Sequence, residues 1–200
     1  MKNPYLFSYL PFFTIMLFSL TFGVYTVSWS LGIFREIGLY NGLLEFLTDT
    51  QMKLFLLTIY ALAYFMVFSA LKLIAETIHE TAMLFFYRNR PADDEKGIPL
   101  PDGRGGKLIY FIGALASVAA VQSIVWLSAV FLAAAFIYFI YSTYQLHHQF
   151  SMMTIIGVIF FEVVIWAVLL FAVVYILLRL YNGISASIPG MEKDQLPMGS

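Results

Sequence analysis

The sequence predicts an all-α protein: a polytopic membrane bundle of five transmembrane helices, with an amphipathic helix lying in the interface. Three observations carry this. The 200-residue chain is 61% hydrophobic and 12% charged, with a mean hydropathy of +0.84, whereas soluble domains carry about 25% charged residues. From Leu108 to Phe161, fifty-four residues, there is no Asp, Glu, Lys or Arg. One straight helix of that length is roughly 80 Å at ~1.5 Å per residue, against a hydrocarbon core of about 30 Å, so the run must turn. Polar residues elsewhere recur at helical spacing, as in Lys72, Glu76, His79, Glu80 and Met83.

Taken in order, the first span covers about 5–27. It begins with Lys2, Pro4 and Pro11 and is too long and aromatic for a cleaved leader. In the following stretch, 28–51, Arg35, Gly38, Gly42, Glu45 and Asp49 form one face and Phe34, Ile37, Leu44 and Leu47 the other, as in an interfacial amphipathic helix. Gly38 and Gly42 weaken that helix, and a short re-entrant hairpin around Tyr40–Gly42 is the alternative. The second span covers about 52–75 and extends as a helix to 87, because the apolar side continues through Ile74, Ile78, Ala82 and Phe85.

Residues 88–107 hold three prolines, four glycines and five cations, and read as a solvated cytoplasmic loop by the positive-inside rule. Its GRGGK lacks the spacing, the following Ser/Thr and the preceding strand of a phosphate loop. The uncharged run then divides into spans at about 108–122 and 126–146, and the last span covers 153–180. The breaks are expected where Gln122, Ser123 and Trp126 fall together and at His147–Gln149. Trp126 and Tyr144 lie ~27 Å apart along a helix, one hydrocarbon thickness, and both residue types favour interfaces. Reading Leu108–Tyr144 as one over-long helix gives four spans instead. A polar tail, 182–200, follows. With the loop inside, the N-terminus is cytoplasmic too.

The segments MKNPYL, REIGLYNGLLEFL, MKLFLL and LLRLYN resemble the YufK-like family of small Bacillus membrane proteins, a domain of unknown function. That resemblance implies a bacterial plasma-membrane location and assigns no catalytic or binding residue.

Two features could carry chemistry. Glu76, His79 and Glu80 share one helix face, and Glu-x-x-His is the spacing used by di-metal carboxylate bundles. His147 and His148, at the end of the fourth span, are placed on the same membrane side in the five-span topology and supply further ligands. The plainer account is the solvated face of an emerging helix, with Lys72 and Glu76 as an i,i+4 pair. Met83 stands where a zincin needs its second His. Glu162, alone and ~14 Å into the last span, is either a proton- or cation-coupling residue or a neutral carboxyl bonded across helices. Gln122 reaches it only if that residue lies deep in the membrane.

The remaining composition bounds partners and cofactors. Net charge is −1, which leaves no electrostatic footprint for nucleic acid. The absence of cysteine excludes thiolate metal sites, iron–sulfur clusters and thiol catalysis. No cofactor is predicted and no metal set is assigned. The partners implied are the lipid bilayer and a second copy or another membrane protein. Gly113, Ala114, Ala116, Ser117 and Ala120 form a small-residue face suited to close helix contact. The expected role is that of a non-enzymatic membrane partner or small-solute transporter, with a metal-binding protein or enzyme built on Glu76, His79, Glu80, His147 and His148 as the alternative.

Overall fold

Six helices make up the described part of the chain, residues 4–86, 104–147 and 150–187 of a computed structural model. They are α1 (Pro4–Glu36), α2 (Leu39–Leu44), α3 (Asp49–Phe86), α4 (Arg104–Ala119), α5 (Ile124–His147) and α6 (Met152–Ser187), and the described residues contain no strand. Four helices, α1, α3, α5 and α6, are long and apolar enough to cross a membrane, and α4 is a shorter apolar helix.

Side-chain contacts give the register. Antiparallel α1 and α3 are joined by Thr26–Tyr64 (2.9 Å) and Ser30–Tyr60 (2.8 Å) hydroxyl bonds. Gly23 of α1 leaves just enough room for α3: a Cβ there would lie 3.3 Å from the Ala61 nitrogen. Parallel to α1 runs α4, fixed by a buried Thr21–Ser117 hydroxyl bond of 3.0 Å. The small-residue face of α4 then meets α5, where a Cβ on Gly113 would lie 2.6 Å from that of Ala134. Around this junction Phe18, Phe22, Phe68, Ala114 and Leu127 form the main core. A second core joins the ends of α3, α5 and α6 through Ala82, Met83, Leu146, Ile155 and Val158.

The local signals explain most boundaries. Thr48 and Gln51 make a reciprocal capping box at the start of α3: the Thr48 N–H donates to Gln51 Oε1 (3.0 Å) and the Gln51 N–H to Thr48 Oγ1 (3.4 Å). Ser151 caps α6 through the Thr154 N–H (3.4 Å). Gly38 takes φ +76°, the left-handed conformation that ends a helix cheaply only in glycine.

Several boundaries differ from the sequence expectation. The first helix does not stop at 27 but continues to Glu36, because Val27 and Leu31 still bury against Met52. The amphipathic stretch 28–51 is therefore divided: its first part extends α1, and only Leu39–Leu44 forms a separate short helix. Of the expected loop 88–107, residues 88–103 lie outside the described residues and 104–107 already belong to α4. The chain breaks between Ala119 and Ile124, so Trp126 sits inside α5. Residues 182–187 of the expected tail continue α6.

The α4–α5 turn does not reach the end of the α1–α3 pair. Ser117 is level with Thr21, so the turn lies beside about Tyr25, and α1 runs a further ~16 Å to Glu36. At that far end Tyr40 donates to Asp49 Oδ1 (2.7 Å), Lys53 pairs with Asp49 (2.6 Å), and the Arg35 guanidinium lies 4.9 Å from the Tyr40 ring centre.

Candidate functional site

Helix α6 enters antiparallel to the last third of α3, with Gly157 against Phe86 and Val158 against Ala82 and Met83. One further turn along α6 brings Glu162 opposite His79. The two side chains, eighty-three positions apart in sequence, make a 2.6 Å contact between His79 Nδ1 and Glu162 Oε1. They are 18% and 15% exposed, so the contact is enclosed by protein.

A contact of this kind holds one proton in either of two arrangements. Nδ1–H donates to a carboxylate, or a carboxylic acid donates to a bare Nδ1. Among the described residues, the far ring nitrogen, His79 Nε2, is buried and has no hydrogen-bond partner. An enclosed polar atom left without a partner costs roughly 1–3 kcal/mol.

Around the pair, α3 carries a polar stripe. Lys72 and Glu76 form an i,i+4 ion pair of 3.1 Å, with side chains 44% and 56% exposed. Glu76 sits one turn and Lys72 two turns along α3 from His79, on the side facing α6. From α5, the Tyr138 phenol lies within electrostatic reach of both Glu76 and Glu162. Its ring stands 5.0 Å from that of Tyr110 on α4. Nearer the end of α5, the Gln145 amide donates to the Tyr141 hydroxyl (2.7 Å), while Gln145 Oε1 is buried without a partner among the described residues.

The expected residues are thus redistributed. His79 is held by Glu162 rather than gathered with Glu76 and Glu80, and Glu76 is held by Lys72. His147 closes α5 at the end of the bundle where Leu146 meets Ala82 and Met83, and its side chain is exposed. His148 lies outside the described residues. Among the described residues no three His, Asp or Glu side chains are placed to hold a metal ion. Gln122 is in the α4–α5 turn, lining a cavity of about 330 Å³ with Ala119, Ala120, Ser123 and Trp126. Sequence reasoning missed the His79–Glu162 partnership. The available signal was Glu162 itself, an ionisable residue on an otherwise apolar helix that needs a polar partner, and the polar stripe of α3 that could supply one.

No solved structure matches the chain. The "Uncharacterized membrane protein YufK" of Bacillus subtilis (strain 168) is 35% identical over 189 residues, covering 94% of this chain and 100% of that protein. Residues 26–189, which include His79 and Glu162, match the model of a family of unknown function, DUF5366. The chain is a membrane protein and belongs to this family.

Proposed function

We propose that the protein is a non-enzymatic, multi-pass protein of the bacterial plasma membrane that couples a proton to the movement of a small solute. His79 and Glu162 are the proton-holding pair. The observation that carries this reading is their enclosed 2.6 Å contact across α3 and α6, with Nε2 left unpartnered. Ionisable residues at membrane depth are costly and concentrate on proton relays and substrate pathways. A buried imidazole–carboxyl pair gains or loses its interhelical bond as its proton comes and goes, which biases how α6 leans on α3.

In this reading the N-terminus and residues 88–107 are cytoplasmic, as their cations favour. A second copy completes the solute pathway. The sequence has no internal repeat to do so, and α6 is exposed on every face from Phe171 to Gly183.

The test uses the absence of native cysteine. Spin labels at Met66→Cys on α3 and Tyr175→Cys on α6 report the separation of the two helices in liposomes. That distance is expected to change between about pH 5 and pH 8 in the otherwise native chain and to stay constant in Glu162→Gln. A distance that is independent of pH in the native background overturns the reading.

A further inference from the structure

Counting along the antiparallel pair from His79–Glu162 places the rest of the polar stripe in depth. Glu76 falls level with about Ile165, and Lys72 with about Leu169. Those positions lie within the charge-free run Val163–Leu178, sixteen residues or roughly 24 Å of helix. Leu169 is near its middle. A second count agrees. The α4–α5 turn lies beside the level of Tyr64, and Lys72 is a further ~12 Å along α3 toward His79. Lys72 and Glu76 follow directly on the charge-free run of α3, Leu54–Leu71, yet stand level with the charge-free run of α6, and their side chains are 44% and 56% exposed.

An ion pair at that depth is incompatible with lipid on its open side. The insertion cost of a single lysine or aspartate at a helix centre is about 2.5–3.5 kcal/mol, and such residues face the bundle interior or water. Helix α6 covers the pair only in part, since the two side chains stay 44% and 56% exposed. Its residues beyond Phe161 join no buried cluster among the described residues, and residues 72–77 of α3 are all exposed. Beyond His79–Glu162 the same face of α6 keeps Ile165, Trp166 and Leu169 half-buried, level with Glu76 and Lys72, and from Phe171 to Gly183 every residue is exposed, so the two helices part after about Leu169.

We infer that α3 and α6 border a water-filled crevice, reaching from the α4–α5 turn side to Glu76. Lys72 and Glu76 line its α3 wall, and Glu76 is the group through which protons pass to the His79–Glu162 pair. This rests on the proton-holding role of that pair. Water supplies the dielectric that the exposed ion pair needs. Glu76 stands one helical turn from His79, with Cβ atoms about 5–6 Å apart. Among the described residues, Tyr138 and Glu162 are the further titratable groups placed near that end of the crevice.

The experiment is nitroxide accessibility on the full chain in liposomes. Labels go at Ser69→Cys, which retains both charges on the crevice stripe, at Glu76→Cys, and at Val67→Cys on the opposite face of α3 at similar depth. Collision with a water-soluble nickel chelate is expected to be several-fold greater at positions 69 and 76 than at 67, and collision with oxygen greatest at 67. Oxygen-dominated collision at all three positions means lipid and overturns the inference. Low collision with both reagents at 69, with dipolar broadening between copies, means a protein contact and also overturns it. Either result leaves the pH response of the α3–α6 distance standing or falling on its own.

Discussion

Breaking the His79–Glu162 contact from each side, and then from both, gives the sharpest energetic prediction. Glu162→Val removes the acceptor and leaves two ring nitrogens of His79 enclosed without partners. At ~1–3 kcal/mol per unsatisfied buried group, and with Nε2 already unpartnered, the added cost is about 2 kcal/mol. His79→Leu strands the Glu162 carboxyl without its partner and costs a similar ~2 kcal/mol. The double variant strands neither. Interhelical hydrogen bonds in membranes average about 0.6 kcal/mol and reach about 1.7. A 2.6 Å contact with both side chains less than a fifth exposed belongs near the upper end. The expected coupling is therefore about 1.4 kcal/mol, a tenfold factor in the unfolding equilibrium. Reversible unfolding in mixed micelles, followed by the fluorescence of the three tryptophans, measures it. Additive single-variant losses refute the claim that the two residues act as a pair.

Three further predictions concern packing and backbone. Gly113→Ala places a Cβ 2.6 Å from that of Ala134, with no flexible atom to yield, so α4 and α5 must separate at a cost of ~1–3 kcal/mol in the same unfolding assay. Gly38→Ala is destabilising by about 1–2 kcal/mol because its φ is +76°, whereas Gly32→Ala, with open space around the added Cβ, stabilises by up to ~1 kcal/mol. Thr21→Val removes the bond to Ser117 and should cost roughly 0.6 kcal/mol, a loss that Ser117→Ala does not add to fully.

The sequence made helical class and membrane residence legible because both depend on local composition and period. The break near Gln122 was also legible, since a charge-free run too long for one span must turn and polar residues gather at the turn. The continuation of α1 to Glu36 was not. Ser28 and Ser30 look like the end of an apolar span, but Ser30 is bonded to Tyr60 and Leu31 is buried against Met52, contacts that no local pattern reports. The partner of Glu162 was not legible for a related reason. Spacing arithmetic compares residues on one helix, so it joined His79 to Glu76 and Glu80 and left Glu162 alone. The chain reversal before α6 decides which face of α3 Glu162 meets, and that register is set by Val158, Gly157 and Phe86. Gly157 could have signalled it: a glycine within an apolar helix marks a close approach, here of the Phe86 ring.

The most direct measurement is the nitrogen-15 resonance of His79 in selectively labelled protein in liposomes, followed from about pH 5 to pH 9. The account predicts that His79 changes protonation state or tautomer across that range, and that the transition moves in Glu162→Gln. A His79 held in one state throughout, with the same resonances in the variant, would contradict it.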